Sequence, residues 1–201
     1  MYDNIIHHFL SNAFCGILVY MSGHNKWSQI KEKKGKTDAK KSQVFSKFAK
    51  LIANEARAAR SSGGQVNKDA PALRAAIERA RKENMPSDNI ERAIKKATEA
   101  GAKALEKVMY EAYGPGGAAI LIETLTDNTN KTAQEIKHLL SENGGNLASP
   151  GAAAWAFEKT AGVWKPTTTV PLSEEDLNKL SALVEKLEAH EDVQEVITNA
   201  E

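Results

Sequence analysis

Nine lysines and only two acids, Glu32 and Asp38, fall between Ser22 and Lys50. Lys26, Lys31, Lys33, Lys34, Lys36, Lys40 and Lys41 recur at short, irregular intervals, and Lys47, Lys50 and Arg57 continue the series. Density of cationic side chains is all that phosphate neutralisation requires. Trp27 sits among the first of these lysines. An indole there can stack on a base or lie against a sugar, or it can fold back as an apolar anchor for the arm. These eleven residues are the candidate nucleic-acid contacts.

Other chemistry is poorly provided for. Five histidines, His7, His8, His24, His138 and His190, lack metal-ligand spacing, so neither a metal nor a cofactor is expected. The one cysteine, Cys15, excludes an internal disulfide. The loop from Gly114 to Gly117 (GPGG) lacks the Lys-Ser/Thr of a phosphate-binding loop and precedes a strand. It reads as a hairpin turn. Glu174 and Glu175 open an exposed helix, where carboxylates favour the helix dipole. No nucleophile has a recognisable base partner, and no catalytic residue is assigned.

The elements that must carry the cations follow from patterning. The net charge of +1 conceals a division: Ser22 to Thr98 holds 19 Lys/Arg against 8 Asp/Glu, whereas Glu99 to Glu201 holds 8 against 17. A basic half beside an acidic half implies a polyanionic partner for the first, and leaves room for a protein partner on the second. A basic helical domain is expected over residues 22–100 and an acidic α+β domain over 107–201.

In the first half an extended arm leads into a helix beginning near Asp38, capped by Thr37 or Asp38. Val44, Phe45, Phe48, Leu51 and Ile52 share one arc of it, with Lys47, Lys50 and Arg57 on roughly the opposite side. Asp69 is the expected cap of a second helix, with Pro71 in its first turn and Leu73, Ile77 and Ala80 inward. A third follows Pro86, with Ile90, Ala93, Ile94 and Ala97 apolar. Three such helices should pack as a bundle.

Beyond the linker the period falls to two. Strands are expected at Val108–Tyr113, Ala118–Thr126, AAAWAFEK (152–159), VWKPTTTVPL (163–172) and VQEVITN (193–199). Helices should start at Asn128–Asn130 and at Ser173, the latter with Asp176 in a capping-box-like position. The order is ββαββαβ, an α+β layer with helices on one face of a sheet.

Residues 1–21 are expected to be a disordered or dispensable extension. Their apolar run is too short to span a bilayer, and Asp3 stands where a signal peptide carries a basic residue. The expected location is cytoplasmic.

Four blocks, GHNKWSQIKEKKGKTDAKKSQVFSKFAKLI, LRAAIERARKENMPSDNIERAIKKAT, YEAYGPGGAAILIETLTDNTNKTAQEIKHLLSENGGNLA and LEAHEDVQEVITNAE, resemble the YebC/PmpR family in sequence and in order. The resemblance implies a helical N-terminal domain followed by α/β domains, and a cytoplasmic, non-enzymatic regulator that binds DNA. Translational activators among the family's mitochondrial relatives make ribosomal RNA the alternative target. The chain departs from the family where FEKTAGVW passes directly into KPTTTVPLSEEDL: a further small α/β domain is usually inserted there.

Overall fold

The computed structural model describes Trp27 and residues 38–61, 65–97, 99, 105–160 and 162–201. The expected extension at residues 1–21 and most of the lysine-rich arm lie outside these residues.

Three helices build the first unit: α1 (Asp38–Ala58), α2 (Pro71–Lys82) and α3 (Ser87–Lys96). They bury Ile52 and Ala56 of α1, Leu73, Ala76 and Ala80 of α2, and Ile90, Ala93 and Ile94 of α3, with Met85 and Ala97 closing the core. Phe45, Phe48 and Leu51 of the expected stripe pack against this core and remain partly accessible. The cap expected at Asp69 is one residue too early. Ala70 is the N-cap, without a side-chain bond, because Pro71 occupies the first helical position and holds its predecessor extended. The Asp69 amide instead donates to the Asn67 side chain at 3.0 Å.

The second unit is α+β. It runs β1 (Glu106–Tyr113), β2 (Ala119–Thr126), α4 (Thr129–Glu142), β3 (Asn146–Leu147), β4 (Phe157–Thr160), β5 (Val163–Pro166), α5 (Glu174–Ala189) and β6 (Val193–Thr198). This is the ββαββαβ order with one extra two-residue strand, β3. Strands β3, β1, β2 and β6 form an antiparallel sheet in that spatial order, and β4 pairs with β5 in a separate ribbon. GPGG makes the β1–β2 turn, with Gly116 at φ +69° and Gly117 at φ +78°. Asn128 caps α4 by accepting from the Lys131 amide, and Ser173 caps α5 by accepting from the Asp176 amide at 3.1 Å.

Two expected strands come out shorter. The AAAWAFEK segment turns through a single 3-10 turn at Ala154–Ala156 and becomes a strand only at Phe157. The cause is Glu111 on β1. Its carboxylate accepts from the amides of Gly151, Ala153 and Ala154 at 2.6, 2.7 and 2.8 Å, which folds the segment into a turn. The VWKPTTTVPL strand stops at Pro166.

Helices α4 and α5 cover one face of the sheet, burying Ile120, Ile122, Ile136, Leu140, Leu180 and Leu183. The opposite face is also covered: Ala119 and Leu121 meet Ala153, Ala156, Phe157 and the partly buried Trp164. Burial on both faces is why β2 reads AILIETLT without alternation. Each of its large aliphatic side chains contributes about 1.5–3 kcal/mol.

Candidate nucleic-acid interface

The seam of α1 carrying Ser42, Phe45, Ser46, Ala49, Lys50, Ala53, Asn54 and Arg57 advances by three and four residues. Such spacing spreads the eight over about half the helix circumference, so Phe45, expected opposite Lys50 and Arg57, lines one groove with them. This side faces α3 across a groove of about 690 Å³. Arg92 and Lys96, themselves four residues apart on α3, stand on the far wall with Asn89. Met85 and Ala93 form part of the floor.

The charges in this groove have different fates. Lys50 is ion-paired with Asp192, whose main chain leads into β6. Arg92 is steadied by its own helix through the Asn89 side chain and the Asp88 carbonyl, the latter at 3.4 Å. Arg57 is half-buried and Lys96 exposed, and among the described residues no carboxylate pairs with either. The acid on the rim, Glu191, lies 3.6 Å from Lys131.

A second cleft, of about 760 Å³, separates the neighbouring side of α1 from the α+β unit. Lys47 faces it with Phe48 and Leu51, opposite Val184 and Glu188 of α5. Burial holds the Lys47 ammonium below the ordinary lysine pKa, and the charge of Glu188 works in the other direction. Trp27 lines the same cleft and packs, half-buried, against the α+β core.

Among the described residues, ion pairs bridge the units. Besides Lys50 with Asp192, Lys107 on β1 meets the buried Glu55 of α1, and Arg79 lies 3.8 Å from Glu195. Asp192 also accepts from Thr132 Oγ1 at 2.7 Å. Burial tends to raise the Asp192 pKa. The hydrogen bonds from Lys50 and Thr132 and the Lys50 charge outweigh it, leaving the carboxyl below its usual range.

Of the eleven sequence candidates, then, Lys41 is exposed on α1, Arg57 lies in the groove, and Lys47 and Trp27 face the inter-unit cleft. Lys50 is taken by Asp192 and is no open phosphate contact in this arrangement. Lys40 belongs to the first turn of α1, while Lys26, Lys31, Lys33, Lys34 and Lys36 lie outside the described residues. Arg92 and Lys96 of the groove are not among those eleven candidates. Their four-residue spacing was the available signal, but only packing shows that it faces Arg57.

Among the described residues, no three of His, Cys, Asp and Glu cluster in a way that could hold a metal. Nor is any described helix long and apolar enough to cross a membrane.

Residues 25–100 match the TACO1/YebC protein N-terminal domain, and residues 105–163 and 161–200 match the TACO1/YebC second and third domain. The chain belongs to the TACO1/YebC family. It is 48% identical over 188 residues to a "Probable transcriptional regulatory protein" of Petrotoga mobilis, a match covering 90% of this chain and 71% of that one. A protein of the same name from Syntrophobacter fumaroxidans is 47% identical over 184 residues, or 90% and 72% of the two chains. The crystal structure of a conserved hypothetical protein from Aquifex aeolicus superposes with a TM-score of 0.72 at 32% identity, covering 87% of this chain and 96% of that one. In this TACO1/YebC chain the first match takes in all of α1, α2 and α3, and so Arg57, Arg92 and Lys96. The two parts of the second match meet at residues 161–163, just ahead of the Trp164–Lys165 junction where the resemblance leads one to expect a further domain.

Proposed function

We propose that this TACO1/YebC protein is a nucleic-acid-binding regulator, acting on DNA to control transcription. The observation that carries the reading is the concentration of cations on the helical unit: 19 Lys/Arg against 8 Asp/Glu between Ser22 and Thr98. Relatives bearing the name "Probable transcriptional regulatory protein" support the regulatory part.

In this reading the arm, with Lys31, Lys33, Lys34 and Lys36, and the α1 surface from Lys40 to Arg57 dock on phosphates. No base-reading motif such as a zinc finger accompanies them, so the phosphate backbone supplies most of the affinity. The acidic α+β unit positions the complex or offers a face to a protein partner. No catalytic step is assigned, and the protein would meet its target in the cytoplasm.

Fluorescence anisotropy with labelled DNA across a salt series tests the reading. Binding that weakens steeply with salt is the expected result. Elution from heparin and oligonucleotide columns together with a neutral control protein overturns it.

A further inference from the structure

We infer that the groove between α1 and α3 receives one unstacked nucleotide, so that the protein prefers single-stranded nucleic acid to duplex. The inference rests on the proposed nucleic-acid binding and adds to it a site, a ligand and a strand preference.

The groove combines three features that a nucleotide uses together. Its cations, Arg57, Arg92 and Lys96, suit a phosphate. Its floor holds the half-buried Phe45 beside Ala49 and Met85, an apolar surface on which a base face can rest. Asn54 and Asn89 place amides on opposite walls, and although the Asn89 oxygen accepts from Arg92, its NH2 group, like the Asn54 amide, can hydrogen-bond to a base edge. The volume, about 690 Å³, lies in the range of sites that enclose a small ligand, roughly 300–1,000 Å³.

Among the described residues, the local charge favours an anion. Glu191 is drawn toward Lys131, and Asp192 is paired with Lys50. Arg57 and Lys96 have no described carboxylate partner. An acidic peptide would satisfy the cations but would leave the aromatic floor and the two amides unused. In a duplex the base faces are covered by their neighbours, so only an unpaired nucleotide offers both face and edge to such a groove.

The test measures binding of the full chain to a 12-nucleotide single strand and to its duplex, as DNA and as RNA, by anisotropy at one ionic strength. Two variants accompany the wild type. Ser46→Leu adds bulk to the groove wall without changing its charge, at an exposed helix position that tolerates leucine. Arg57→Ala with Lys96→Ala removes two cations, and circular dichroism confirms that each variant folds.

The single strand should bind at least tenfold more tightly than the duplex. Ser46→Leu should erase that preference by weakening single-strand binding far more than duplex binding. The double alanine variant should flatten the single-strand salt slope by about one and a half units, two contacts at roughly 0.7 each. Equal affinity for single strand and duplex, or an unaffected Ser46→Leu variant, overturns the inference while the proposed function stands. Competition by polyglutamate as strong as that by the oligonucleotide overturns it in favour of an acidic peptide. A wild type that retains no strand of either kind defeats the inference and the proposed function together.

Discussion

Lys50 on α1 and Asp192 at the start of β6 form an ion pair across 142 residues of sequence, joining the basic helical unit to the acidic α+β unit. A carboxylate thereby occupies a cation that sequence patterning assigns to phosphate. On the next side of α1, Lys47 and Glu188 line the same cleft, and the Glu188 charge acts on the Lys47 ammonium. The acidic unit thus partly neutralises the helix that carries the candidate interface.

Replacing Asp192 by Asn should release Lys50 and weaken the junction. Loss of a partly buried, hydrogen-bonded charge partner costs about 1–3 kcal/mol. Thermal unfolding should show a lower midpoint, and anisotropy a severalfold gain in affinity for nucleic acid. Because the folded Asp192 pKa is depressed, its stabilising effect is complete above the unfolded value, near ~3.9, and is lost as pH falls through the lower folded value. Asp192→Asn should therefore narrow the stability difference between neutral and acid pH, measured by urea titration.

Glu111→Gln should loosen the turn at residues 151–154. Burial pushes the Glu111 carboxyl upward, but the amides of Gly151, Ala153 and Ala154 hold it below the ordinary range. Each charge-assisted bond is worth about 1.5–3 kcal/mol at most, and glutamine retains some of this through its neutral oxygen. A net loss of about 2 kcal/mol at neutral pH is expected from urea unfolding. The wild-type advantage is present above the unfolded glutamate value, near ~4.3, and fades as pH drops through the folded one.

Changing Lys31, Lys33, Lys34 and Lys36 together to alanine should weaken binding about equally on all sequences and leave the circular dichroism spectrum unchanged. If the wild type engages about six phosphates, log affinity should fall with log salt at a slope near −5 on duplex DNA. The variant slope should be shallower by up to about three and a half units. An unchanged slope would remove the arm from the interface.

Gly116→Val tests the turn between β1 and β2. Gly116 has φ +69°, and an added Cβ would come within 2.5 Å of Leu172 Cδ2. A β-branched residue meets both the backbone strain and the clash. A loss of at least ~2 kcal/mol is expected by chemical denaturation.

Local rules carried much of the architecture. The Asn128 and Ser173 caps, the GPGG turn and the apolar faces of α2 and α3 depend on neighbours within four residues, and so they were legible. Asp69 is not the cap because Pro71 takes the first helical position and makes Ala70 its N-cap. The extra strand β3 is two residues long, too short to leave a periodic trace. The late start of the AAAWAFEK strand depends on Glu111, about forty residues upstream.

The sequence by itself determined the identity and order of the main elements, the split between a cationic and an anionic half, and the family. Each of these is written in spacing or composition along the chain. Tertiary structure alone decided which cations stay open. Lys50 and Arg57 lie on the same seam of α1, yet one meets Asp192 and the other faces Arg92 and Lys96 across the groove. Periodicity fixes the side of a helix on which a charge projects, but the partner waiting there comes from remote sequence and is set by packing.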